Sequence, residues 1–250
     1  VPKIIRIINR LDPGGPTFNA ALLTKYMSPE FETMLLAGVR KEKEDTTSSI
    51  VKDMGLDVVP LPYFHDFIRP ISDMKIYNKI RKHIREFKPD IVHTHGAKAG
   101  VLGRMAALDE KVPVIVHTFH GHVFHSYFHP IKTRVSLFTE RYLSRRTSKI
   151  IAISQSQKKE LGYKYKVVDP SNINVIPLGF DLSRFREKTD EKRNSFRQKY
   201  LLGDDEIAIG IIGSLVPVKN HSMFILAAKT VLKQTKKKVR FFIIGNGESC

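Results

Sequence analysis

Short β-branched runs alternate with helical stretches from one end of this chain to the other, and no other property of the sequence constrains the fold as much. KIIRIIN (3–9), ETMLLAG (32–38), LDVVPLP (56–62), DIVHTH (90–95), PVIVHTF (113–119), KIIAIS (149–154) and INVIPLG (173–179) read as strands. They are near-continuous apolar runs, the pattern of strands covered on both faces. Helical patterns fall between them, over 17–27, 71–87, 99–108, 130–147 and 155–161. The 71–87 stretch carries Met74, Tyr77, Ile80, Ile84 and Phe87 at helical spacing with basic residues between, and Pro89 ends it. Strand, helix and strand in this order predict an α/β fold, a doubly wound parallel sheet with helices on both faces.

The character changes at Ser183–Glu206, which is highly charged and has no strand signal beyond a short helical pattern near 194–200. A new series follows: IAIGIIG (207–213), a helix near 222–233 and VRFFIIG (239–245). The expected division is a first Rossmann-like domain over 1–185, a charged link over 186–205 and the start of a second Rossmann-like domain over 206–250. One βαβ unit cannot cover both faces of a sheet, so the chain reads as cut inside that second domain.

Charge narrows the partners. Lys and Arg number 42 against 25 Asp and Glu, a formal net charge of +17. Such a surface favours nucleic acid, anionic lipid headgroups or phosphorylated small molecules. No run approaches the roughly 18 apolar residues of a membrane span, and VPKIIRIINRL carries Arg6 and Arg10 where a signal peptide would be bare. The one cysteine, Cys250, excludes an intrachain disulfide, and a cytoplasmic protein is expected.

The order of the loop motifs is more specific. RIINRLDPGGPTFNAALL, KPDIVHTHGAKAGVLGRMAAL, VPVIVHTFHGHVF, KIIAISQSQKKELG, INVIPLGFDLSRF and GIIGSLVPVKNHSMFILAAK follow one another along almost the whole chain. In wording, order and spacing they resemble family-4 retaining glycosyltransferases of the GT-B fold, most closely those that build bacterial surface polysaccharides on lipid carriers. The resemblance implies two Rossmann-like domains facing a cleft, the C-terminal one holding the nucleotide-sugar donor and the N-terminal one mainly the acceptor. It further implies a nucleotide sugar, UDP-linked by expectation, as substrate rather than cofactor, and a lipid-linked or glycan acceptor. The enzyme is expected on the inner face of the membrane, against anionic lipid, without a nucleic-acid partner.

The site residues follow from these motifs. Gly14 and Gly15 follow a strand and open a helix, where glycine permits positive φ and close approach and helix N–H groups favour anions; a bare strand-to-helix turn is the alternative. His120 and Gly121 lie at the carboxyl end of a strand, the edge at which α/β sheets bind ligands. By the resemblance His120 contacts the donor sugar near the reacting carbon. His95 and Lys98 stand at the neighbouring strand's mouth, facing acceptor or phosphate, while His93 reads as packed core. Gly213, Ser214 and Lys219 precede a helix, where a lysine and backbone N–H groups would stabilise a departing diphosphate.

The family pattern has an arginine where this chain has Ser214, and its glutamate pair lies further along the second domain. His117, His120, His122, His125 and His129 cluster, but without a cysteine or an i,i+4 pair flanking a glutamate a metal site is not expected. No DxD motif occupies a suitable loop either, which favours metal-independent chemistry. A basic nucleic-acid-binding α/β protein and a catalytically silent scaffold of the same fold remain the alternatives.

Overall fold

The computed structural model describes residues 1–12, 14–39, 51–62, 64, 69–121 and 130–247. The chain divides into two compact units, Val1–Phe180 and Asp181–Cys250. The first is built from β1 (Lys3–Ile8), α1 (Gly15–Tyr26), β2 (Glu32–Gly38), β3 (Val58–Leu61), α2 (Pro70–Phe87), β4 (Ile91–His95) and α3 (Ala97–Asp109). It continues through β5 (Val114–Phe119), α4 (Pro130–Ser144), β6 (Lys149–Ala152), α5 (Gln155–Lys159) and β7 (Ile173–Val175). Each expected strand is present. β7 is shorter than its apolar run, since Pro177 has no N–H to extend the ladder.

All pairings are parallel, in the order β3-β2-β1-β4-β5-β6-β7. The sequence order reverses between β1 and β4, so the loops leaving these two strands diverge to opposite faces. The crevice this opens at their carboxyl ends is the usual ligand position in an open α/β sheet.

One face of the sheet presents Ile5, Ile7, Val92 and Ile115 to α2 and α3. On α2 the buried stripe is Ile76, Ile80 and Ile84, with Tyr77 and Phe87 partly buried. Met74, expected in that stripe, is instead 57% exposed, since Ile76 falls in phase with Ile80 and Ile84 and takes the inward position. Each fully buried isoleucine contributes about 1.5–3 kcal/mol. The other face packs Ile8, Leu35 and Ala37 against Ala20 and Ala21 of α1.

Helix α3 lies unusually close to the sheet. A Cβ on Gly100 would stand 2.6 Å from the His117 ring, and one on Gly103 2.7 Å from Thr94 Cγ2. This explains why α3 is rich in small residues. Arg104, one turn beyond Gly100, is fully buried; its Nε donates to the Gly100 carbonyl and its Nη2 to Glu140 Oε2 at 2.6 Å, tying α3 to α4.

The second unit comprises α6 (Ser183–Arg186), α7 (Thr189–Lys199), β8 (Ile207–Ile212), α8 (His221–Gln234) and β9 (Val239–Ile244). β8 and β9 pair in parallel from Ile207↔Val239 to Ile212↔Ile244, with α8 as the crossover. Ile212, Met223, Leu226 and Ile244 are exposed, so this βαβ unit carries open apolar surface.

Gly100→Ala tests the close approach of α3. The added methyl must displace the His117 ring, at a cost of about 1–3 kcal/mol. A urea melt is expected to show that loss, whereas Gly121→Ala, with nothing within 4 Å of its Cβ, leaves the midpoint unchanged.

Candidate functional site

Residues at the carboxyl ends of β1, β4 and β5 come together at the crevice. Asn9, one residue past β1, accepts the Ala99 N–H on its Oδ1 at 2.5 Å and so holds the first turn of α3 beside the β1 loop. Gly96 turns the chain from β4 into α3 with φ +85°, a conformation that strongly favours glycine, and a Cβ there would press on the Asn9 side chain at 3.3 Å. The N-cap residues of both helices, Gly14 and Gly96, have no side chain to cap with. Asn9 satisfies the Ala99 N–H of α3, whereas α1 presents its first-turn N–H groups and the positive end of its dipole at this edge.

Gly14 and Gly15 occupy the start of α1 as expected, but for a different reason. Gly14 has φ 167°, extended backbone open to any residue, so positive φ is not what demands glycine here. What the pair leaves is room: a Cβ at Gly14 would find no atom nearer than 3.9 Å. Pro16 sits in the first helical turn, where a missing N–H is harmless.

The imidazoles are the densest chemical feature of the first unit. Register places Arg6 beside His93 and Ile8 beside His95, which puts Arg6, His93 and His95 on one face of the sheet. His93 Nε2 lies 2.8 Å from Thr118 Oγ1, and the His93 and His95 ring centroids are 4.2 Å apart. His95 is 0% exposed, with its Nδ1 2.9 Å from His120 Nε2. His93, read from sequence as packed core, is buried yet belongs to this polar row.

His117 points the other way. It bonds Thr94 Oγ1 through Nδ1 at 2.8 Å beneath Gly100 of α3, so His117 and His120, neighbours in sequence, serve opposite faces. No group of three or more His, Cys, Asp or Glu suited to a metal occurs among the described residues. His122, His125 and His129 lie outside them.

Burial sets the charge state of the row. Desolvation lowers His120 from its ordinary value to about 4 and, with Arg6 and His120 adding to it, His93 to about 3. Burial also pushes His95 and His117 well below the ordinary imidazole range, with neighbouring histidines and Arg6 adding to it for His95, and Arg104 foremost for His117. Arg6 itself, buried on β1, donates to Thr24 Oγ1 and to Met27 Sδ, and desolvation lowers it to about 10. At neutral pH the row is a set of neutral imidazoles beside one buried guanidinium.

Lys98 is not an open cation at the mouth. Its Nζ stands 2.7 Å from Asp73 in the first turn of α2. Gly121 is exposed, with no atom near its Cβ position.

The remaining expected residues lie in the second unit, where they form a group of their own. Gly213 N–H bonds Ile244 O and prolongs the strand, and the Lys219 stem runs about 3.8 Å from the Gly213 Cβ position. Lys219 ends a 3₁₀ turn, Pro217–Lys219, immediately before α8, whose N-cap Asn220 accepts the Met223 N–H. Ser214 is exposed between them.

The buried imidazoles make stability depend on pH. Each has a folded pKa below its unfolded value of about 6.5, so the unfolded chain takes up protons first as pH falls. Their contribution is complete above pH 6.5 and is lost progressively towards pH 4, by about 1.4 kcal/mol per histidine per pH unit. Urea midpoints measured from pH 7.5 to 4.5 are expected to fall across that window, less steeply in His93→Leu.

Comparison with known proteins agrees with this architecture. The Glycosyltransferase Family 4 model matches residues 28–184, and the Glycosyl transferases group 1 model matches 192–249. The UDP-Gal:α-D-GlcNAc-diphosphoundecaprenol α-1,3-galactosyltransferase of Escherichia coli is 35% identical over 180 residues, 71% of this chain and 46% of that protein. The capsular polysaccharide biosynthesis glycosyltransferase CapM of Staphylococcus aureus is 27% identical over 179 residues, again 71% and 46%. The chain thus spans about half the length of these curated relatives. Among solved structures, Anabaena HepE in complex with UDP and glucose superposes with a TM-score of 0.73 at 17% identity, covering 100% of this chain and 62% of that one. A glycosyltransferase from Rickettsia africae gives 0.67 at 17% identity, covering 97% and 68%. With a GT-B-type Rossmann-like sheet and a family match over more than half its residues, the chain belongs to Glycosyltransferase Family 4.

Proposed function

We propose that this chain is the acceptor-side domain and the beginning of the donor-side domain of a retaining glycosyltransferase. It moves a sugar from a nucleotide donor, UDP-linked, to a lipid-linked or polysaccharide acceptor in bacterial cell-surface polysaccharide synthesis. The observation that carries this reading is His120: a half-buried, neutral imidazole at the carboxyl end of β5, in contact with His95 at the end of β4. The E. coli and S. aureus relatives, named for a diphosphoundecaprenol-linked acceptor and for capsule synthesis, support the acceptor class.

In this reading His120 contacts the donor sugar, Gly14 and Gly15 leave space for the diphosphate or acceptor, and Gly121 and Lys98 belong to the acceptor side. His95, expected there from sequence, is 0% exposed and lies behind His120 instead. Departure of the nucleoside diphosphate concentrates negative charge on its oxygens. Gly213, Ser214 and Lys219, just ahead of α8, supply the backbone donors and cation that stabilise it, so no metal is required. In the full-length protein, Lys219→Ala is expected to lower kcat by roughly 10²–10³, the usual effect of removing one such donor. His120→Ala is expected to act in the same direction, and EDTA to leave turnover intact. Wild-type rates in both variants would overturn the site assignment; loss of activity in EDTA would overturn the metal-free chemistry.

The acceptor class also calls for a membrane surface, and α4 has the pattern for one. Arg134, Val135, Phe138, Arg141, Tyr142 and Arg145 form one exposed stripe, with Phe138 74% exposed. Apolar side chains flanked by arginines on one helical face suit an interfacial helix on anionic lipid. No helix among the described residues is long and apolar enough to cross a membrane. The chain is expected to sediment with vesicles containing phosphatidylglycerol and not with phosphatidylcholine alone, each cation adding about 1 kcal/mol. Phe138→Ser with Arg145→Glu abolishes that binding; equal binding to both vesicle types would sink the claim.

A further inference from the structure

The first unit has a second concavity, an open cavity of about 460 Å³ walled by Arg141 and by parts of 144–148 and 162–172. These two segments lead into the amino ends of β6 and β7. Both strands run parallel to those whose carboxyl ends form the crevice. The cavity therefore lies at the opposite edge of the sheet from His120 and is no part of the site described above.

Fixed contacts build its walls. Arg141 on α4 donates Nε to the Lys166 carbonyl at 3.1 Å and Nη2 to the Tyr165 carbonyl at 2.7 Å, which pins the 162–172 segment against the end of the helix. Gly162 lets that segment fold closely on itself, since a Cβ there would stand 2.8 Å from Pro170 Cγ. Val167, next to Lys166, is buried, and its N–H bonds the Leu161 carbonyl.

The cations at this edge divide into those the fold uses and those it does not. Arg141 is committed to the two carbonyls. Arg146 lies over the Tyr142 ring at 3.9 Å and donates to the Tyr142 carbonyl. The carbonyls that end α4, Leu143 and Ser144, are taken by the Arg146 and Thr147 N–H groups and the Thr147 hydroxyl. Arg145 is thus not needed to finish the helix. Arg145 and Lys166 line the cavity, are exposed, and have no ion pair or hydrogen bond among the described residues. The acid on the wall, Asp169, already accepts the Ser171 N–H and hydroxyl on one oxygen. Three cations around a concavity with one engaged carboxylate attract anions into it. A guanidinium and an ammonium that solvent reaches, with the Asn172 amide on the same wall, match the oxygens of a phosphate group.

We propose that this cavity is a binding site for a phosphate ester, held by Arg145 and Lys166 at the sheet edge opposite the catalytic crevice. A lipid headgroup and a soluble phosphate ester present the same chemistry to it. Arg145 also belongs to the exposed stripe of α4, whereas Lys166 does not, so Lys166 separates the cavity from the helix face. The site stands independently of the transferase reading, because none of its residues belongs to the crevice or to the group around Lys219.

Backbone amide NMR with glycerol phosphate as the probe, against sodium chloride at equal ionic strength, tests the site. Saturable shifts are expected within 144–148 and 162–172 with glycerol phosphate and not with chloride. Arg145→Gln and Lys166→Gln, both at exposed positions, are each expected to weaken binding about tenfold, the worth of one hydrogen bond to a charged group. Vesicles containing phosphatidylglycerol then identify the source. If the headgroup is the ligand, vesicles displace glycerol phosphate and Lys166→Gln lowers vesicle binding. If a soluble ester is the ligand, glycerol phosphate stays bound beside vesicles and Lys166→Gln leaves vesicle binding unchanged. Absence of saturable shifts in the two segments overturns the proposal, as does wild-type affinity for glycerol phosphate in both variants.

Discussion

The distance between α3 and the sheet governs the rest of the first unit. Gly100 and Gly103 bring that helix down until His117 and Thr94 fill the gap beneath it. These two side chains bond each other across β4 and β5 at 2.8 Å, which fixes the lateral fit of the strands. Side chains alternate along a strand, so the residues between them must face the opposite side. Those residues are His93, His95 and Thr118, the framework on which His120 rests. A looser helix would free β5 to slip against β4, and a slip of one residue would exchange the two faces. The site on one side of the sheet is thus held by glycines on the other. Arg104 and Glu140 then anchor α3 to α4, in a buried pair that is strongly destabilising to break from one side only.

In the first unit the buried imidazoles stay neutral beside a buried charge. Arg6 is a buried guanidinium with a hydroxyl and a thioether for partners, an expensive arrangement reflected in its lowered pKa. Its field, added to desolvation, keeps the neighbouring histidines from taking up protons.

What was legible in the sequence was what is local. The strands carry their own signal in continuous apolar runs, and Gly213, Lys219 and Asn220 lie close together because one turn holds them. What was not legible depends on residues far apart in the chain. Lys98 reads as an open cation until α2 brings Asp73 to within 2.7 Å. His93 reads as filler because its partner, Thr118, is 25 residues away and depends on the β4–β5 register. The division of His117 and His120 between faces follows from the same register. Asn9 did leave a trace, an amide at the mouth of a strand, but its role appears only once α3 is placed beside it. On α2, periodicity found the helix and misplaced one edge of its stripe, because Met74 and Ile76 both lie near the apolar sector and packing chose the branched residue.

The neutrality of His120 bears on what such a site can select. Under the proposed reaction the donor is an anion before and after transfer, and a charged imidazolium would bind it in both states. Interactions equal in ground and transition state do not accelerate a chemical step. A neutral imidazole does not bind the donor by charge, and leaves phosphate charge to groups that meet it where it develops. Lys219 and the start of α8 have that character, as does the uncapped N-terminus of α1, where the glycines admit an anion without a side chain in the way. Geometry at the sugar and charge at the phosphate are then handled by different residues. Burial keeps them separate by making protonation of the His120 imidazole unfavourable until about pH 4.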